Sequence, residues 1–287
     1  SSSRYFLLLH DERRMQNASK EPQSVVRRWC PLRQYFNMEP LSKARIKLIQ
    51  SLQHKKFRQK YDKFIVEGLK ITKELILERL SIVESVYISN PDYQAILENL
   101  IDVDRICQVT PQQMHQISQM STPPGVLTVC SLPPEIHMPE HAGDLRIFYL
   151  DSIRDPGNLG TILRISDWFG LDFVILSPDC VDIFNHKVLQ ASMGSALRVK
   201  TCVLDKVELL AFGEGKIYVC DADGKNIFTT TPPQGGIIVL GNESLGVSGE
   251  IAHQVKEVFA IPGDRSLGAE SLNVASAAAI VAAWWRA

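Results

Sequence analysis

The sequence predicts an α/β fold in two parts: a C-terminal parallel-sheet domain preceded by a small α/β domain. Three observations lead there. Short apolar runs alternate with helical stretches along most of the 287 residues. Two of the runs, FVILS and GIIVLG, are continuously apolar, as strands covered on both faces are. A stretch of linker composition, Ser131 to Asp144 with Pro133, Pro134 and Pro139, separates one rhythm from the next. A repeated β then α order argues for a mostly parallel sheet with helices on both faces.

Element by element, residues 1–37 show no coherent period, and patterned sequence begins at Met38. The apolar run YFLLL is shorter than the roughly 7 to 15 residues of a signal-peptide core. Asp11, Glu12 and Glu21 make a poor transit peptide. Residues 1–41 are therefore set aside from the fold as a disordered extension, an expression remnant or upstream translated sequence. Ser42 is an N-cap residue, and Ala44, Leu48, Ile49 and Leu52 share one helical face, with Lys43 and Lys47 on another. FIVEG, a helix over 69–79, VESVYIS, a helix over 92–100 and GVLTVCS complete a first domain, 42–130. Residues 131–144 form the linker. The second domain, 145–287, runs LRIFYLD, a helix from about Gly157, FVILS, a helix near His186, LRVKTCV, a helix near Asp205, KIYVCDA, GIIVLG, EVFAIP and a final helix.

Composition narrows the function classes. Hydrophobic residues make up 45% and charged residues 22%, the balance of a globular protein rather than a disordered one. No apolar run approaches the roughly 20 residues that a spanning helix needs, so no membrane partner is expected. The six cysteines are scattered singly, without the C-x-x-C pairs of zinc or redox sites, and read as reduced core thiols of a cytoplasmic protein. No metal is expected. Net charge is −1, yet residues 43–63 hold Lys43, Arg45, Lys47, Lys55, Lys56, Arg58, Lys60 and Lys63 against one acid, Asp62. Such a patch is either a solvated helix face or a nucleic-acid contact.

In open parallel sheets, ligands bind beyond the carboxyl ends of the strands. Three loops at those ends stand out. The first, DSIRDPGNLGTILR, sets Pro156, Gly157, Asn158 and Gly160 at a helix start, where close backbone approach is allowed and free N–H groups attract anions. Asn158 and Arg164 lie six residues apart, within about 120° on a helix, close enough to address one ligand region. An arginine in so apolar a helix needs an anionic partner. The second loop, GNESLGVSGE, places Glu243 directly after a buried strand, either as a functional acid or as a cap for the next helix. The third, IPGDRSLGAESLNVASAAA, is a long loop before a helix whose small residues allow tight packing. None is a Walker loop, and the G-x-G-x-x-G fingerprint of nicotinamide-binding proteins is missing.

DPGNLGTILR, IVLGNESLG and IPGDRSLGAESLNVASAAA, in this order and spacing, resemble the three signature motifs of the SpoU/TrmH family of the SPOUT superfamily, the RNA 2′-O-ribose methyltransferases. The resemblance covers about Ser42 to Ala287. It implies S-adenosylmethionine as cofactor and a deep trefoil knot in the C-terminal domain, an exception to the rule that chains are un-knotted. It also implies a ribosomal-protein-like RNA-binding domain over 42–130, and a homodimer formed through the knotted domains. The basic patch then becomes an RNA contact through Lys43, Arg45, Lys47, Lys55, Lys56 and Arg58. Carried over by position, the catalytic set is Arg164, Asn158, Glu243, Ser271 and Asn273. Cofactor contacts fall on Leu240, Gly241, Ile261 and Leu272, with Gly246 and Gly268 shaping the loops.

The resemblance further implies that Arg164 grips a phosphate and the 2′-oxygen, stabilising charge as it develops. A guanidinium stays protonated in proteins, so solvent or a phosphate oxygen is the better proton acceptor. Glu243 would orient Asn158 or Arg164, and Ser271 with Asn273 would fix the loop and substrate. His186, alone near a motif, is read as structural. The RNA expected is ribosomal rather than transfer RNA. Two other readings stay open: a SPOUT enzyme methylating a base nitrogen, and an RNA-binding or ribosome-assembly protein.

Overall fold

The computed structural model describes residues 41–242, 244–264 and 271–287. The first domain opens with α1 (Lys43–Ser51), whose N-cap Ser42 accepts a hydrogen bond from the Arg45 amide. Then follow α2 (Lys55–Tyr61), β1 (Lys63–Glu67), α3 (Leu69–Arg79), β2 (Val83–Ile88), α4 (Pro91–Leu97), β3 (Ile106–Gln108), α5 (Pro111–Ile117) and β4 (Val126–Ser131). The strands form one sheet in the order β1-β4-β2-β3, with β4 antiparallel to β1 and β2, and β3 parallel to β2. Ile49 and Leu52 of the first helix are buried as expected, whereas Ala44 is exposed.

Three elements of this domain carry no readable apolar period. The helix α2, KKFRQKY, carries no apolar period because its chemistry is charge. The strand β3 has only three residues, too few to show alternation. The helix α5 buries only Met114 and Ile117, yet it announces itself by Pro111 at its start and a Thr110/Gln113 capping box. The helix expected over 92–100 stops at Leu97.

The second domain is a six-stranded sheet in which every pairing is parallel, order β10-β8-β9-β5-β6-β7. Its elements are β5 (Arg146–Leu150), α6 (Pro156–Phe169), β6 (Phe173–Leu176), α7 (His186–Ser192), β7 (Thr201–Val203), α8 (Lys206–Gly213), β8 (Ile217–Asn226), β9 (Gly236–Leu240), α9 (Gly249–Ala252), β10 (Glu257–Ala260) and α10 (Val274–Arg286). The run LRVKTCV was expected to be strand throughout; pairing begins only at Thr201, and Ser195–Leu197 form a buried helical turn instead. Strand β5 shows why the central runs are apolar without alternation. Phe148 and Leu150 pack into the core on one face, Ile147 and Tyr149 into the core on the other. At about 1.5–3 kcal/mol for each large side chain buried, such strands hold helices to both faces.

The core on one face continues across to the first sheet, where the Phe64 and Phe184 rings lie 4.6 Å apart. Arg58 crosses the same seam. Only 4% exposed, it donates to Asp182 Oδ2 at 3.0 and 2.5 Å and to the carbonyls of Leu52 and Gln53 at 2.8 and 2.9 Å. Arg198 makes a second bridge, to Glu74 on α3 and, at 2.6 Å, to Asp167 on α6. Among the described residues no helix is long and apolar enough to cross a membrane.

Candidate cofactor cleft and catalytic face

A cleft of about 470 Å³ opens at the carboxyl ends of β8, β9 and β10, the edge where parallel sheets accept ligands. Leu240, Gly241, Gly246, Ile261, Ser271 and Leu272 all line it, bringing five of the expected cofactor contacts together with one expected catalytic residue. Gly268 and Glu243 lie outside the described residues. The loop after β9 is folded tightly back on itself. A Cβ on Gly241 would come within 2.4 Å of the Gly246 backbone, and Asn242 and Gly246 exchange backbone hydrogen bonds of 3.1 and 2.9 Å. Gly246 turns the chain at φ +69°, the left-handed region that glycine enters without strain.

Side chains missed in the sequence lock this loop. Asn242 donates from Nδ2 to the Ser152 carbonyl at 2.9 Å, and its Oδ1 accepts from the Ser244 and Leu245 amides. Asp151, buried at the end of β5, accepts the Ser248 amide at 2.8 Å. The first motif loop is thus tied to the second through backbone groups. Asp221, also missed, lines the cleft beside Cys220 at the point where β8 leaves the buried sheet. A carboxylate directly after an apolar strand was the signal available in KIYVCDA. Cys220 is no nucleophile, since burial first and the neighbouring Asp221 second push its thiol up to about 12.

The start of α6 is joined to the wall of the cleft by a side-chain hydrogen bond. Asp155 caps α6 by accepting from the Asn158 amide at 2.8 Å. Asn273 caps α10, its Oδ1 accepting from the Ala275 and Ser276 amides at 2.9 and 3.3 Å. The other half of the Asn273 amide, Nδ2, donates to Asn158 Oδ1 at 2.9 Å. Two helix starts, 115 residues apart in the chain, are joined there. Arg164 lies on α6, exposed and with no ion pair or hydrogen bond among the described residues. The anionic partner expected for it is therefore not supplied by those residues. On the side of α6 that meets α7, a Cβ at Gly160 would fall 2.6 Å from the Ala191 Cβ and 2.8 Å from the Val188 carbonyl, so only glycine lets the two helices approach this closely.

The basic segment divides. Lys43, Lys47, Lys55 and Lys56 are exposed. Arg45 instead turns onto the sheet, donating to Tyr87 Oη at 2.7 Å and Ser85 Oγ at 3.0 Å. Arg58 is buried in the seam, its guanidinium held by Asp182 and two carbonyls, so neither arginine offers the open phosphate contact expected of it. The exposed lysines stand among aromatics. Lys56 sits 4.9 Å over Phe57 and Lys60 5.3 Å over Tyr61, while Phe57 and Tyr61 stack at 6.2 Å. No group of three or more His, Cys, Asp or Glu able to hold a metal ion occurs among the described residues.

A parallel sheet with a cleft of small-molecule size beyond its strand ends, beside a helix whose Arg164 has no partner among the described residues, defines an α/β ligand-binding protein. Comparison with known proteins sharpens the class. The SpoU rRNA Methylase family matches residues 146–283, and the MRM3-like substrate binding domain matches residues 43–128. The chain is 28% identical over 250 residues to the 23S rRNA (guanosine(2553)-2'-O)-methyltransferase RlmP of Bacillus subtilis, covering 85% of this chain and 96% of that protein. It is 30% identical over 150 residues to human mitochondrial rRNA methyltransferase 3, covering 50% of this chain and 35% of that protein. A TrmH-family structure from Porphyromonas gingivalis superposes with a TM-score of 0.75 at 32% identity, covering 86% and 98% of the two chains. An AdoMet-bound rRNA methyltransferase from Sinorhizobium meliloti shares the fold, with a TM-score of 0.71 at 24% identity over 84% and 93%. The chain belongs to the SpoU/TrmH family of RNA methylases.

S-adenosylmethionine is this family's methyl donor, and the residues present fit it. Leu240, Ile261, Leu272 and Val274 offer apolar surface for a base, the loop backbones offer polar groups, and Asp221 offers a carboxylate. The volume lies within the roughly 300–1,000 Å³ usual for small-molecule pockets.

Proposed function

We propose that this chain methylates a ribose 2′-hydroxyl of ribosomal RNA, using S-adenosylmethionine held by the loops around Leu240, Gly241, Gly246, Ile261 and Leu272. The observation that carries this reading is the hydrogen bond from Asn273 to Asn158, which couples the wall of the cleft to the helix bearing Arg164. Bound there, the cofactor supplies a methyl group on a cationic sulfur. The chain's own residues do the rest. Arg164 takes the phosphate beside the reacting ribose and steadies the negative charge that grows on the 2′-oxygen. Asn158 and Asn273 set the position of that helix relative to the cleft, and positioning supplies much of the rate when two reactants must meet in line. Ser271 stands at the cleft wall to orient the sugar, and Glu243, next to Asn242, is assigned to orienting Asn158 or Arg164. The 2′-hydroxyl proton leaves to solvent or to a phosphate oxygen, because a guanidinium has no proton-accepting form at neutral pH.

The lysine and aromatic face of α2 supports RNA as the substrate, pairing phosphate-binding cations with rings on which bases stack. Free thiols at Cys107, Cys130, Cys180, Cys202 and Cys220 fit a reducing compartment, and we place the protein in the cytoplasm. A homodimer through the second domain is supported by Trp168, 84% exposed one helical turn beyond Arg164. The trefoil knot and the separation of an RNA-binding domain at 42–130 from a methyltransferase domain at 145–287 belong to the same reading. Incubation of ribosomal RNA with the protein and labelled cofactor, followed by nucleoside mass spectrometry, tests the central step. The expected product is a 2′-O-methyl nucleoside; a base-methylated nucleoside, or cofactor binding without methyl transfer, contradicts it.

A further inference from the structure

A second cavity, about 210 Å³, lies in the seam between the two sheets. It is less than half the volume of the cofactor cleft, the scale of one flat heterocycle rather than a nucleoside cofactor. Its walls are apolar and come from both domains: Ile71, Met120 and Pro124 on one side, Leu189 and Met193 on the other. Two thioethers and a proline ring suit the face of an aromatic base, since sulfur is polarizable and adapts its contact. Met193 is 51% exposed, so the wall it forms is open to an incoming group.

The polar atoms gather at one edge. Glu67, at the end of β1, is held in place because Oε2 accepts from Ser118 Oγ at 2.5 Å and Oε1 from the Gln119 amide at 2.8 Å. Each oxygen keeps a further lone pair, and an ionised carboxylate can only accept. Among RNA bases only guanine places two N–H donors, the ring N1 and the exocyclic N2, side by side on one edge at carboxylate spacing. Lys70 lines the mouth, and Lys187 is exposed beside His186 on the opposite rim, so cations are present where flanking phosphates would run. Glu74 at the same rim is neutralised by Arg198.

The position connects this cavity to the reaction. Gln190 lines it, and the next residue, Ala191, is what Gly160 of α6 packs against, one turn before Arg164. The seam cavity and α6, the helix that carries Arg164, therefore lie against a single helix, α7.

We propose that the seam cavity receives an unstacked guanine of the RNA, next to the methylated ribose, read at its N1 and N2 edge by Glu67. This rests on the methyltransferase reading above and adds a base-specific subsite to it. Anisotropy titrations of the full chain with three single-stranded hexaribonucleotides, identical but for one guanine, inosine or adenine, test it. Inosine lacks the N2 amine, so it should bind on the order of 10-fold more weakly than guanine, and adenine no better than inosine. Glu67→Gln should bring the guanine to inosine ratio close to one. Met193→Ala, at an exposed rim position that does not threaten folding, should weaken guanine binding without changing its salt dependence. Equal affinity for the three RNAs, or a guanine preference that survives Glu67→Gln, overturns the proposal. Equal affinity with methyl transfer intact defeats the guanine site alone, whereas a guanine preference without any methyl transfer defeats the function and leaves the site standing.

Discussion

Asn273 does two jobs with one amide, and the two can be separated by substitution. Its Oδ1 caps α10 and its Nδ2 holds Asn158. Removing an N-cap costs about 1 kcal/mol, and a side-chain hydrogen bond contributes about 0.5–1.5 kcal/mol. Asn273→Ala should therefore lose about 2 kcal/mol, which at roughly 2–4 °C per kcal/mol lowers the melting temperature by about 4–8 °C. Asn273→Ser keeps a hydroxyl that caps well but is too short to reach Asn158, so it should lose only the second share, about 1 kcal/mol. Turnover should divide the variants differently. Both lose the bond from Asn273 to Asn158, and a small displacement of a positioned helix can cost on the order of 10²-fold in rate. Differential scanning fluorimetry reads the stability, and single-turnover methyl transfer reads the rate. If Asn273→Ser turns over like the parent protein while Asn273→Ala fails, the residue is only a cap and the coupling to Asn158 plays no part.

The buried Arg58–Asp182 pair should be structural. Arg58→Ala strands a carboxylate and two carbonyls at the seam, an expected loss of about 3–5 kcal/mol in thermal unfolding. Arg58→Lys, if it folds, should leave the salt slope of RNA affinity unchanged, whereas Lys56→Ala should reduce that slope by about one unit; equal slopes for both variants would contradict the division of the basic segment. His186 is held below its ordinary value of 6.5 by burial first, then by Lys187 and Arg58. The unfolded chain thus takes up a proton at a higher pH than the folded protein does. The stability this histidine contributes is fully present above about pH 6.5 and is lost as pH falls below that value and through the lower folded one. Melting curves at about pH 7.5 and about pH 5.5 should show a smaller acid-side loss for His186→Gln than for the parent; an equal or larger loss would reverse the assignment.

The parallel sheet was legible because its strands are buried on both faces, which leaves runs such as GIIVL with no polar residue to confuse the pattern. The loops were legible because ligand sites in such sheets sit at one edge, and Asn158, Ser271 and Asn273 do come to that edge. What stayed hidden was orientation. Arg45 and Arg58 belong to a run of cations, and nothing in spacing tells a wet guanidinium from one folded back onto Tyr87 or Asp182. Asp151 and Asn242 were hidden for a related reason. They act by accepting and donating to backbone groups 97 and 90 residues away, contacts that exist only once the sheet has formed. The short helix α2 carries its signal in charge and aromatic stacking rather than in an apolar period, so a search for hydrophobic spacing passes over it.

Arg164 is the residue on which the proposed chemistry turns, since it is exposed on α6 and has no partner among the described residues. The decisive measurement pairs calorimetry of S-adenosylmethionine binding with single-turnover methylation of ribosomal RNA by Arg164→Ala. Loss of one preorganised donor to developing charge predicts a fall in rate of about 10²–10³-fold, with cofactor affinity within a few-fold of the parent. Near-parental turnover, or a loss of cofactor binding that matches the loss of rate, would contradict the account.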